Sequence, residues 1–292
     1  MMDPDVIKKI KKIHIKSRRQ VNTLMAGQFK SVFRGAGIEF EEVREYSPGD
    51  DVKHIDWKVS ARMGRPYVKL YTEERESIVM LLIDMSASNR FGTTGTQKIE
   101  SAAEIGCTLA FNAIRNNDKV GAVFFTDRVE KYIPPKKGNA HIWRVIKEIF
   151  TFTPAHRGTD IREAVEYLSR VSRKRTISFI ISDFIDEDFI RSMRIAGRRH
   201  EIIAVMLSDP AEFNLPSAGL FSVEDFESGA RFTVDASSAR VREHFSRLQA
   251  DLYRDRLMAF QHAGIDCMEL RTNGDVVDVL TRYFRLREKR VR

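Results

Sequence analysis

Two cysteines and eight prolines in 292 residues leave little for a disulfide framework or a proline-rich linker. Cys107 and Cys267 both lie in apolar contexts, which predicts buried free thiols and a reducing, cytoplasmic compartment. No run approaches the roughly 18 consecutive apolar residues that a membrane-spanning helix needs. The opening MMDPDVIKKIKKIHIKSRRQ holds no apolar stretch of the secretory kind. Phosphate-loop order is missing as well. In FGTTGTQK (Phe91–Lys98), Gln97 separates Thr96 from Lys98, and no serine or threonine follows the lysine. That segment is read as a flexible turn with a capping threonine, so nucleotide hydrolysis is assigned to a partner. Internal repeats are absent too.

What is present is an ordinary globular composition, 42% hydrophobic and 31% charged, with a net charge of +8. The excess positive charge concentrates in KKIKKIHIKSRR (Lys8–Arg19) and RYFRLREKRVR (Arg282–Arg292). Such clusters attract anions. Without a helix-turn-helix, an RNA-binding signature or a stacking platform, they read as a solvated helix face and a frayed tail. Nucleic acid is therefore not the expected partner.

Val6, Ile7, Ile10, Ile13, Val21 and Leu24 recur at mainly helical spacing and predict an amphipathic helix. The stretch from Gly35 to Ser77 mixes strand-like pieces, Ile38–Tyr46 and Tyr67–Tyr71, with a turn at Ser47–Asp50. From Ser77 onward, apolar strands alternate with amphipathic helices. The strands are SIVMLLID, DKVGAVFFTD, RTISFIISD, EIIAVMLSD and IDCMEL. RVEKYIPP alternates in polarity as an antiparallel edge strand does, and Phe221–Val234 reads as a hairpin before a long helix, Arg240–Ala263. The expected fold class is α/β, a doubly wound, mostly parallel sheet with an antiparallel edge strand. A smaller N-terminal helix and β segment precedes it, so the chain divides into 1–76 and 77–292.

In an open sheet of this kind the loops after the carboxyl ends of the strands gather at one rim. Asp84, Ser86 and Ser88 leave the first apolar strand at alternate positions, and Asp183 leaves another. The loop HRGTD brings Thr159 and Asp160 to a helix start. Thr159 serves equally well there as a helix cap, and Asp160 as a first-turn acid favoured by the helix dipole. Two carboxylates and three hydroxyls are an oxygen-only set, which selects a hard cation and leaves a coordination position open.

DMSAS at Asp84–Ser88, with Gly158–Thr159 and Asp183, resembles the metal-ion-dependent adhesion site of von Willebrand factor A domains. The resemblance implies that Asp84, Ser86, Ser88, Thr159 and Asp183 serve Mg2+, or another divalent cation such as Mn2+ or Ca2+. The vacant position would then take an acidic side chain from a protein partner. Three departures stand out. Asn89 replaces a frequent Met, an exchange expected to alter helix packing rather than the metal. SDF replaces Thr-Asp-Gly, and HRGT places Arg157 near the rim, where it would either repel the cation or seat an acidic partner.

GAGIEFEEVREYSPGDDVKHIDWKVSAR followed by LYTEERE resembles the signature of the bacterial domain-of-unknown-function family number fifty-eight. That resemblance implies a MoxR-type AAA+ ATPase as partner and a chaperone-like role. Arg44, Asp50, His54, Asp56, Trp57 and Arg62 would form a docking surface or latch. Alternatively, they make a structural ion-pair and turn network around a half-buried tryptophan. His54 beside Asp56 comes with no nucleophile, so no catalytic residue and no small-molecule substrate are expected. The resulting expectation is a non-enzymatic, metal-dependent adaptor. Its alternatives are a hydrolase using metal-activated water at the same carboxylates, or a nucleic-acid protein binding through the basic ends.

Overall fold

Two short polar strands precede the long apolar ones, and the chain divides between Ser77 and Ile78 into two compact units. The computed structural model describes residues 39–72, 76–227 and 229–291. The helix expected over Val6–Leu24 and the first basic cluster lie outside them.

In the smaller unit β1 (Glu39–Glu45) pairs antiparallel with β2 (Tyr67–Thr72), with a bulge between Phe40 and Glu42. The Ser47–Asp50 turn closes with the Asp50 amide on the Ser47 carbonyl at 3.0 Å. Helix α1 (Trp57–Met63) starts where the Asp56 carboxylate accepts the Lys58 and Val59 amides. It stops at Gly64, whose φ of 70° suits a residue without a side chain.

The larger unit begins with β3 (Ile78–Asp84), α2 (Lys98–Arg115), β4 (Lys119–Phe125) and β5 (Val129–Lys136). Then come α3 (Asn139–Thr151), α4 (Ile161–Val171), β6 (Ile177–Ser182), α5 (Phe189–Ala196) and β7 (Glu201–Ser208). The chain ends with the hairpin β8 (Leu220–Glu224) and β9 (Arg231–Asp235), then α6 (Ala239–Ala263), β10 (Asp266–Arg271) and α7 (Val276–Val291). The sheet runs β10-β7-β6-β3-β4-β5, parallel throughout except for β5, which pairs antiparallel with β4. This is the doubly wound, mostly parallel arrangement with an antiparallel edge strand expected from the alternating pattern. Winding reverses between β3 and β6, and such a reversal opens a crevice at the strands' carboxyl ends.

Strand residues are apolar without alternation because both faces are covered. On one face Met80, Leu82, Val123 and Phe125 pack with Ile161, Val165 and Leu168 of α4, Met193 of α5 and Phe260 of α6. On the other face α2 lies close: a Cβ added at Gly106 would rest 3.6–3.8 Å from Ile149, Ile181 and Ile83. α5 starts at Phe189 because Asp188 before it adopts a left-handed φ of 60°, outside the right-handed helical region.

The C-terminal basic cluster is not a frayed tail. It belongs to α7, whose Leu280, Tyr283 and Phe284 are buried and whose Arg287 pairs with Glu201 and Asp266. Arg290 also meets Asp266, at 2.9 Å. Both cysteines are free thiols, and burial pushes Cys267 up to about 12. Among the described residues no helix is long and apolar enough to cross a membrane.

Gly121 in β4 is the closest approach in the sheet. A Cβ there would fall 2.8 Å from the Ile133 carbonyl and 2.9 Å from the Pro135 nitrogen, where the β4–β5 register slips. Gly121→Ala should therefore lose about 1–3 kcal/mol by overpacking. Gly106→Ala, in ordinary contact within a helix, should be neutral or gain up to about 1 kcal/mol. Thermal unfolding followed by circular dichroism distinguishes the two, and identical melting curves would contradict the packing described.

Candidate functional site

β3 ends in Asp84, buried because the strand is central to the sheet. One of its oxygens accepts the Ser86 amide at 2.9 Å, and the other accepts the Ser182 hydroxyl at 2.6 Å. Both donors are neutral. Burial, with the charge of Asp183, pushes the Asp84 carboxyl up to about 7. Ser182 ends the neighbouring strand β6, so the two aspartates reach the same crevice from adjacent strands.

The loop after Asp84 is held at both sides. The Ala87 amide bonds the Arg157 carbonyl at 2.9 Å, and the Met85 amide bonds the Phe125 carbonyl at 2.8 Å. The Ser86 and Ser88 hydroxyls come within 3.0 Å of each other. Asn89 does more than adjust helix packing, because its amide donates to the Ser86 hydroxyl at 3.2 Å. Its buried carbonyl oxygen has no hydrogen-bond partner among the described residues.

Thr159 is not a helix cap. Asp160 takes that role, accepting the Glu163 amide at 2.9 Å, while Asp186 accepts the Ile161 amide at 2.8 Å. The Thr159 hydroxyl instead donates to Glu227 Oε1 at 2.8 Å. Burial holds that carboxylate above its usual range. Glu227, from the turn between β8 and β9, thus reaches the loop that carries Thr159.

Asp183 sits in a turn of unusual backbone. Phe184 has a φ of 54°, the conformation a glycine would supply in Thr-Asp-Gly. Such a residue costs roughly 1–2 kcal/mol. The cost is offset by complete burial of the ring, edge-on to Phe260 at 5.0 Å and tilted on Phe189 at 5.4 Å. The Phe184 amide bonds the Ser182 hydroxyl, and the Ile185 amide bonds Asp183 Oδ1, completing the turn.

The other oxygen of Asp183 is bonded to a residue the sequence did not single out. Lys98, at the start of α2, is buried with its ammonium 2.6 Å from Asp183 Oδ2 and 2.6 Å from Glu212 Oε1. Burial alone would lower its pKa, and the two carboxylates outweigh that effect. Lys98 falls four residues before Ala102 and seven before Ile105, on the buried stripe of α2. A lysine on an apolar stripe was the available signal.

The segment before Lys98 is not a flexible turn. Thr93 bonds Asp209 through its amide and hydroxyl, and Thr94 bonds Thr272 at 3.1 Å. Gln97, rather than a threonine, caps α2, reciprocally with Glu100.

In the smaller unit Arg44 and Asp50 form a two-point ion pair at 2.7 and 2.8 Å. That bond, with the Ser47 amide, holds the Asp50 carboxyl below its usual range. Asp56 is committed to capping α1 and to Lys69 at 3.2 Å. His54 and Arg62 are exposed, and Trp57 is 69% exposed rather than half-buried. Arg157 is also exposed.

Among the described residues no three histidine, cysteine, aspartate or glutamate side chains close into a metal cluster by themselves. A cation at this rim would rest on hydroxyls as well as carboxylates. The donor chemistry fits one. Asp84 is bonded only to neutral donors in the contacts above, and one ammonium faces Asp183 and Glu212 while Glu227 adds a further negative charge. Oxygen donors with an excess of negative charge favour a hard divalent ion.

Two outcomes follow from these contacts. Lys98→Met leaves Asp183 buried without its cation and should cost about 3–5 kcal/mol of stability, measurable by urea unfolding. In chelator, Asp84 holds its proton more tightly folded (about 7) than unfolded (3.8). Its effect on stability is therefore most favourable below the lower value and declines as pH rises from 3.8 to about 7. Asp84→Asn should flatten that decline, and an unaltered pH profile would refute the assignment.

An uncharacterized protein of Mycobacterium bovis is 29% identical over 292 residues, covering 98% of this chain and 91% of its own length. Among solved structures, BatB from Bacteroides thetaiotaomicron is 14% identical with a TM-score of 0.49, over 73% of this chain and 99% of that one. The SpRpn10 VWA domain is 12% identical with a TM-score of 0.40, over 70% and 94%. Residues 42–254 match the family described as "Protein of unknown function DUF58". That stretch takes in the Arg44–Asp50 pair, the crevice residues Asp84 to Asp183 and the Glu227 turn, and the chain belongs to the DUF58 family.

Proposed function

We propose that this chain is a non-enzymatic adaptor that recognises a protein partner through an acidic side chain brought to a divalent cation in the β3–β6 crevice. The observation that carries the reading is Asp84, a buried carboxylate bonded to neutral donors beside the converging hydroxyls of Ser86 and Ser88. Asp84, Ser86, Ser88 and Thr159 are the groups that would hold Mg2+, Mn2+ or Ca2+, with Asp183 beside them. Bound there, the ion supplies a positive centre for an anionic oxygen.

The protein's own groups set up that contact. Asp84 orients the Ser86 amide, Asn89 fixes the Ser86 hydroxyl, and Lys98 fixes Asp183 while offsetting part of the negative charge. Arg157, exposed in the loop that carries Thr159, adds attraction for an acidic partner. The exposed His54, Trp57 and Arg62 of the family signature offer a second contact surface, because exposed tryptophan and arginine are the residue types enriched at interfaces. A MoxR-type AAA+ ATPase is the partner proposed there. The pair would work in the cytoplasm to assemble or activate a client complex, with the ATPase supplying nucleotide hydrolysis.

Isothermal titration with Mg2+ and with Mn2+ tests the cation. Wild type should bind, and Asp84→Ala and Ser86→Ala/Ser88→Ala should bind at least about tenfold more weakly, a difference of 1.4 kcal/mol. Titrations that do not differ among the three proteins would overturn the reading. Affinity purification with and without Mg2+ then asks whether an ATPase is recovered.

A further inference from the structure

The hairpin β8–β9 projects a turn whose sequence is Asp225-Phe226-Glu227, and this turn reaches the crevice. It is internally ordered: the Asp225 amide bonds the Ala230 carbonyl at 2.8 Å, and the Glu227 amide bonds Asp225 Oδ1 at 3.1 Å. Glu227 places its carboxylate on the Thr159 hydroxyl at 2.8 Å. Phe226 lies against Phe91 with ring centroids 6.3 Å apart. The tip thus makes one acidic contact and one aromatic contact.

The rest of the hairpin is weakly held. It forms a separate two-stranded sheet, and Leu220 and Phe232 are 73% and 59% exposed. An isolated two-stranded hairpin is marginally stable. The tip can therefore leave the crevice while the six-stranded sheet stays intact. A carboxylate bonded to Thr159, one of the groups proposed to hold the cation, lies where the partner's acid would have to arrive. The Thr159 hydroxyl has one proton to donate and serves one carboxylate at a time.

We propose that Glu227 is a built-in competitor: the free protein caps its own acid-binding position, and a partner engages by displacing the hairpin tip with a segment of the same chemistry. That segment carries a glutamate or aspartate immediately after an aromatic residue, which takes the place of Phe226 on Phe91. This inference rests on the acid-capture reading above. It adds what the crevice holds before the partner arrives and which residue pair the partner presents.

A fluorescent synthetic peptide spanning residues 221–230 is the probe, titrated in Mg2+ against wild type and Glu227→Ala. A peptide carrying Glu227→Gln is the control. Glu227→Ala should bind the peptide at least about tenfold more tightly than wild type does, and the control peptide should bind neither protein. Amide hydrogen exchange gives a readout independent of any ligand. Glu227→Ala should speed exchange across the described residues of 225–230 and leave β3 unchanged. Equal peptide affinity for wild type and Glu227→Ala would overturn self-capping and leave acid capture standing. No peptide binding to any form would overturn both. Unchanged exchange at the tip in Glu227→Ala would overturn the capping contact whatever the peptide does.

Discussion

A carboxylate buried at the end of a central strand governs this site. Asp84 must be desolvated because β3 lies in the middle of the sheet, with β4 and β6 as its neighbours. Desolvation makes an ionised carboxylate expensive unless charge or hydrogen bonds compensate. The compensation seen here is neutral, an amide from Ser86 and a hydroxyl from Ser182. That leaves a charge deficit at the point where the winding of the sheet reverses, which is the physical reason the crevice suits a cation.

Asp183 faces the same difficulty and meets it differently. It has a full ion partner in Lys98, shared with Glu212, so one of its oxygens is already committed. Two adjacent carboxylates therefore do different work. One is held by neutral donors alone in these contacts, and the other is anchored by an ammonium that holds the turn after β6 in place. The left-handed Phe184 belongs to the same arrangement. Its backbone aims Asp183, and its ring, buried between Phe189 and Phe260, ties that aim to the core beneath α5 and α6.

Much of this was legible in the sequence. Unbroken apolar runs identified the inner strands, because a strand covered on both faces has no reason to alternate. The alternating RVEKYIPP identified the edge strand. Asp84, Ser86, Ser88 and Asp183 were legible because strand ends in an alternating fold share one rim. Other features were hidden by the length of chain between contacting residues. Glu227 is 68 residues from Thr159, and Lys98 is 85 from Asp183. Local pattern gives no register between groups so far apart. Asp160, read as a first-turn acid, is the helix cap instead, because threonine and aspartate both cap helices and only backbone direction chooses between them.

The sequence by itself determined the fold class, the order of its elements and the oxygen-only character of the rim. Periodicity and residue type are local properties, and these three follow from them. Tertiary structure alone decided which carboxylate meets an ammonium, that Asp160 rather than Thr159 caps its helix, and that a hairpin more than 40 residues beyond Asp183 brings its own acid to Thr159. Those outcomes depend on how separate strands and loops are brought side by side, and burial then fixes the charge each must carry.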